Sequence, residues 1–170
     1  MYDPEFRLSL SWPLLLLGLF LTVLGVLTSP RDAQGRPILM MPDVKAVEDY
    51  RSAVTGTTTR LHLLDGEITA LLAGQNADLF TQSRQAQAVF EHALQIAQDI
   101  DVQAAPPVLD GLRGLAASTA STYLEAARLS LRWVSLPQET NRKAAEDGLA
   151  KARQELKTLE ESKWLAKRLP

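Results

Sequence analysis

The chain has 170 residues, with 18 Lys and Arg against 20 Asp and Glu, two histidines and no cysteine. A net charge of −2 gives no electrostatic footprint for nucleic acid. The lack of cysteine excludes disulfides, thiolate metal sites and covalent haem attachment, and the length suits one domain with an ample core.

After a nearly neutral tail, residues 1–7, comes LSLSWPLLLLGLFLTVLGVL over residues 8–27, with no charged side chain. About 20 uncharged, Leu-rich residues predict a helix that crosses the hydrocarbon core of a bilayer. Pro13 lies near its start, where proline costs a helix least, and Trp12 suits an interfacial position. The following Leu27-Thr28-Ser29-Pro30 lacks the small-x-small pattern of signal cleavage, so the expectation is an uncleaved single-pass anchor. Gly18 and Gly25 are seven apart and share one face, where small residues let another membrane helix approach.

Residues 28–42 form a linker broken by Pro30, Gly35, Pro37 and Pro42. Within it Ile38, Leu39, Met40 and Met41 are strongly apolar. They pack against the base of the next domain, or contact a partner or lipid.

Residues 43–170 read as four helices. The first starts at Asp43 and carries a stripe of Val47, Tyr50, Val54, Thr57, Leu61, Leu64, Ile68 and Leu71, alternating three and four. Gly74 closes it, and Asn76 is placed to cap the next. The second covers about 77–100, with Leu79, Ala86, Val89, Phe90, Ala93, Ile96 and Ile100 on one side. Two prolines break the chain at 106–107. The third covers about 107–136, with one row through Val108, Leu112, Leu115, Thr119, Thr122, Ala126, Leu129, Trp133 and Leu136. A second row, Leu109, Ala116, Ala120, Tyr123, Ala127, Leu131 and Val134, flanks it and makes this the most buried helix. The fourth runs from 138 to 169 on a narrow seam of Ala145, Leu149, Ala152, Leu156 and Leu159, and its other faces are densely charged. The fold class is therefore all-α, an N-terminal transmembrane helix followed by an antiparallel up-down-up-down four-helix bundle.

This topology returns the C-terminus toward the anchored end. There Trp164, Lys167 and Arg168 combine an aromatic ring with cations, as favoured at a membrane interface or a partner contact. A basic helix end complementing the dipole accounts for the same residues.

Few groups suit chemistry. A turn near 75–76 puts His62 and His92 at nearly one level, but two histidines without a clustered carboxylate make an incomplete metal site. Asp65 and Glu91 read as surface acids, and Asp110-Gly111 and Asp147-Gly148 carry no evident meaning. No Glu-x-x-His pair, phosphate-cradling loop or nucleophile–base set is present, so neither an enzyme nor a cofactor is expected.

Two hydroxyl clusters interrupt the seams, Thr57 and Thr58 on the first bundle helix and Thr119 and Thr122 on the third. They bond back to the preceding turn, or form a polar layer that holds a small ligand. The expected function is a non-catalytic, accessory or scaffolding subunit of a larger membrane complex. Its expected partners are the bilayer and other membrane subunits, with a homo-oligomer as a further option and no nucleic acid. The alternative is an extracytoplasmic sensor or carrier module that uses the hydroxyl layer. Positive-inside counting of Arg31, Arg36 and Lys45 against Arg7 favours a cytoplasmic bundle. Export behind an N-terminal hydrophobic segment favours the opposite side, which is the one expected.

Overall fold

The computed structural model describes residues 5–28, 42–74 and 78–165, with α1 side chains described at 15–25 and 28. Among the described residues the chain is all-helical, with five α-helices, one 3-10 turn and no strand. They are α1 (Glu5–Thr28), α2 (Pro42–Leu72), α3 (Leu79–Val102), α4 (Asp110–Ser135) and α5 (Glu139–Glu160), with the 3-10 turn at Pro107–Leu109. Two compact units result, residues 1–44 and 45–170.

The first unit contains α1, a 24-residue helix about 36 Å long. Its large apolar side chains point outward all round, from Leu15 (71 % exposed) through Leu19, Phe20 and Leu21 to Leu24. Among the described residues no helix is long and apolar enough to cross a membrane. The transmembrane helix expected over 8–27 is therefore not supported there. The α1 side chains at 15–25 cover about 16 Å, half the thickness of a hydrocarbon core.

The second unit is the expected helical bundle. Cross-helix contacts give its topology. Arg60 and Glu67 of α2 meet Asp99 and His92 of α3, and Asp65 of α2 meets Arg153 of α5. Ser118 of α4 meets Glu155 of α5. His62 of α2 also meets Glu160 of α5, and Gly148 of α5 faces Ala126 of α4, so in each pairing residue numbers rise along one helix as they fall along the other, and these neighbours are antiparallel.

Each helix forms where its apolar seam finds a neighbour. The α5 seam is buried as expected, at Ala145, Leu149, Ala152, Leu156 and Leu159. In α4 both rows face the core: Leu112, Thr119 and Ala126 of the first are buried beside Ala116, Ala120, Tyr123, Ala127 and Val134 of the second, whereas Val108 and Leu136, the ends of the first row, are exposed. The inner face is built mainly of alanine, so its neighbours approach closely, and Tyr123 fills the centre with no exposed surface.

Three boundaries differ from expectation. Pro42 already belongs to α2, placing Asp43 in the first turn beside the positive end of the helix dipole. The cap of α3 is Asp78, whose carboxylate accepts from the Phe80 and Thr81 amides. Leu79 is consequently the first helical residue, and it is exposed. Finally, α5 ends at Glu160, nine residues short of the expected end, because its seam ends at Leu159 and the chain turns through Ser162. At the end of α2, Gly74 adopts φ +65° as a left-handed cap.

Candidate functional site

The most heavily cross-linked polar group lies between α2, α4 and α5. Arg153 donates from Nε to Asp65 Oδ1 at 2.8 Å and from a terminal nitrogen to Asp65 Oδ2 at 2.9 Å, a bidentate pair. The same nitrogen donates to Thr69 Oγ1 at 2.7 Å, and the Tyr123 hydroxyl donates to Asp65 Oδ1 at 3.2 Å. Burial pushes the Tyr123 phenol well above its ordinary range, and the charge and hydrogen bond of Asp65 add to this. The hydrogen bond to Asp65 also raises Arg153. Asp65 is thus the hub of three helices, and reading it as a surface acid was wrong. The available signal was Tyr123 on an apolar row, because a buried phenol needs an acceptor. The group is a fully paired clamp, with no nucleophile and base left facing a substrate.

The histidines do not meet. His62 Nε2 lies 2.6 Å from Glu160 of α5, and His92 Nδ1 lies 3.0 Å from Glu67 of α2. The two sites sit on different faces, and among the described residues no cluster of three or more His, Asp or Glu is arranged to hold a metal ion.

The four hydroxyls of the expected ligand layer each donate along their own helix. Thr57 donates to Ala53, Thr58 to Thr55, Thr119 to Leu115 and Thr122 to Ser118, at 2.8–3.1 Å. Thr57, Thr58 and Thr119 are buried, whereas Thr122 is half-buried. These bonds match the local pattern, in which a threonine hydroxyl caps the carbonyl one turn back.

Trp164 has a packing role absent from the sequence reading. A Cβ added to Gly111 would sit 2.5 Å from the Trp164 ring, so the indole lies directly on the first turn of α4. Lys163 Nζ is 4.8 Å from the ring centroid. Gly148 likewise faces Leu129 and Ala126 of α4, where a Cβ would meet the leucine at 3.0 Å. Both glycines are close-approach sites and are not without meaning. Glycine inside a helix costs about 1 kcal/mol relative to alanine, which is itself a signal that something packs against it.

Two open surfaces among the described residues stand out. A groove of about 440 Å³ between α2 and α3 is floored by Ala70, Leu71, Ala88 and Val89, with Glu67 and His92 on its wall. The other is the outward apolar surface of α1, where Gly18 and Gly25 have nothing within 4 Å of an added Cβ. Of the remaining candidates, Ile38, Leu39, Met40, Met41, Lys167, Arg168 and the Trp12 side chain lie outside the described residues. No protein-family model, no curated protein and no solved structure matches the chain.

Proposed function

We propose that this chain is a single-pass, membrane-anchored, non-catalytic bundle protein that serves as an accessory or scaffolding subunit of a larger membrane complex, with the bundle on the extracytoplasmic side. The observation that carries this reading is α1. Leu15, Leu16, Leu17, Leu19, Phe20, Leu21, Val23 and Leu24 are exposed together, on every side of one helix. Such a surface in water is unfavourable by roughly 25 cal/mol per Å² and calls for lipid or a partner. The uncharged sequence continues past the described side chains in both directions, from Leu8 to Leu27, to the length of a hydrocarbon core.

The partner in the bilayer is another membrane helix, received on the Gly18 and Gly25 face. The lack of an open catalytic group in the clamp fits a structural role. The ligand-layer alternative finds less support, because its four hydroxyls already donate to carbonyls of their own helices.

The test is a mild-detergent or nanodisc pull-down of the full-length chain on a native gel, run beside a deletion of residues 8–27. Migration within a large complex that the deletion abolishes is the expected result. The same small species in both lanes refutes the subunit reading.

A further inference from the structure

The groove between α2 and α3 exists because side chains stop short there. The Arg60–Asp99 and Glu67–His92 contacts set the register of the two helices, so Ala70 and Leu71 lie level with Val89 and Ala88. Leu71 and Val89 are buried beneath, whereas Ala70 and Ala88 stand at the surface with only a methyl each. The space left above them, about 440 Å³, falls within the size range of small-molecule sites. Its wall runs from His92 to Gln85, seven residues or about 10 Å of α3, which suits a small molecule and is short for a peptide.

One wall is polar. His92 Nδ1 lies 3.0 Å from Glu67 Oε2, and because an ionised carboxylate only accepts, Nδ1 carries the proton. In the neutral imidazole that leaves Nε2 as an acceptor, and among the described residues neither Nε2 nor Glu67 Oε1 has a donor of this chain. The surrounding charge is negative. No Lys or Arg lines the groove, and none occurs in α2 beyond Arg60 or in α3 beyond Arg84. The same segments hold Asp65, Glu67, Glu91, Asp99 and Asp101, of which, among the described residues, only Asp65 and Asp99 are met by an arginine. Arg84 itself is drawn one turn the other way, over the Phe80 ring, 4.8 Å from its centroid. An apolar floor beside unpaired acceptors in a negative field recruits a cation.

We propose that this groove is a binding site for a small primary amine with an apolar body. The ammonium donates to Glu67 Oε1 and His92 Nε2, the two acceptors with no donor of this chain. The hydrocarbon part covers Ala70, Leu71, Ala88 and Val89, which removes apolar surface of both molecules from water. A carboxylate ligand is repelled by Glu67, and a wholly apolar one leaves both acceptors without a donor. The site is separate from the hydroxyls of α2 and α4, and it does not depend on the subunit role, which the pull-down tests on its own.

The full-length chain in nonionic detergent micelles is titrated with phenethylammonium chloride and followed by TROSY NMR, beside 2-phenylethanol and phenylacetate, which keep the phenyl body. Saturable shifts are expected at the amides of Ala70, Leu71, Ala88 and Val89 below about 10 mM amine, since a millimolar affinity is ordinary for so small a ligand. 2-Phenylethanol should bind at least about fivefold more weakly, and phenylacetate should not bind. Glu67→Gln keeps the shape and removes the charge, and it should weaken the amine by about fivefold or more. Ala88→Leu fills the floor and should abolish binding. Both positions are exposed, and circular dichroism checks that each variant keeps its helices. Absence of saturation at these four amides, an equal response to phenylacetate, or a response unchanged in either variant overturns the proposal. So do shifts confined to α1, which report uptake of the amine by the micelle. Tighter binding of an acetylated, amidated Phe-Lys dipeptide than of the amine assigns the groove to a partner's lysine and overturns the small-molecule site as well.

Discussion

Helices α1 and α4 differ in length by only two residues, and they handle apolar surface in opposite ways. The inner face of α4 is largely small: Ala116, Ala120, Ala126, Ala127, Thr119 and Ser130 are buried around the single large ring of Tyr123. Among the described side chains of α1, Leu15, Leu16, Leu17, Leu19, Phe20, Leu21, Val23 and Leu24 are large and exposed. The more hydrophobic helix is therefore the uncovered one. Burial inside this chain follows from whether neighbours can come close, and small residues on a regular seam allow that. A helix that is apolar on every side has no preferred face to turn inward.

The contrast is broken most decisively by putting charge on α1. Leu17→Arg together with Leu21→Arg adds about 2.5–3.5 kcal/mol per residue if that position is the middle of a bilayer. The double variant should move from the membrane pellet to the supernatant under carbonate extraction, whereas the parent stays in the pellet. Identical partitioning of the two proteins would remove lipid as the surroundings of α1 and leave a protein partner.

On the α4 side, the centre of the bundle is tested at Tyr123. Tyr123→Ala empties a fully buried ring and should cost about 3–5 kcal/mol in urea unfolding of the bundle. Tyr123→Phe keeps the ring and removes only the hydrogen bond to Asp65, for about 0.5–1.5 kcal/mol. The pH dependence separates the two effects. Because the folded phenol is raised, its proton contributes stability below the unfolded value near 10, and that stability is lost as pH rises toward the folded value. The deficit of the phenylalanine variant should thus hold constant up to about pH 10 and shrink above it.

A smaller effect is expected where the turn after α5 closes on α4. Gly111→Ala places a Cβ inside the Trp164 ring and should cost about 1–3 kcal/mol. In a Trp164→Ala background the same change should be neutral, or stabilising by up to about 1 kcal/mol through helix propensity. Additive losses in that cycle would show that the indole does not rest on Gly111.

The seams were legible because a period of three and four survives in the sequence wherever a helix has a single wet side. In α5, dense charge outlines Ala145 through Leu159 without ambiguity. In α4 two apolar rows stand side by side, and both are buried at their middles, as the width of that face suggests. The end of α5 was misplaced because helix propensity continues through KWLAKR although the seam stops at Leu159. The Asp65 clamp was not legible, since Tyr123 and Arg153 lie 58 and 88 positions from Asp65 and are brought to it by the packing of α2 against α4 and α5. The cap of α3 was expected at Asn76, two positions before the Asp78 that bonds the Phe80 and Thr81 amides, and both residue types cap equally well.

The finest contrast concerns the hydroxyls. In α4, Thr119 is almost fully buried and its hydroxyl donates to Leu115 at 2.8 Å, with Glu155 O at 3.5 Å. The Leu115 carbonyl lies one turn back, where it also receives the helical amide bond, so losing the hydroxyl orphans no buried acceptor. Valine has the shape of threonine and a similar helix propensity, and it adds apolar contact in place of a weak bond. Thr57→Val, Thr58→Val and Thr119→Val should therefore each shift unfolding by no more than about 0.5 kcal/mol. A loss above about 2 kcal/mol at any of them would mean that a buried partner beyond the helix's own turn depends on that hydroxyl. That result would bring back the polar layer between α2 and α4 as a ligand site.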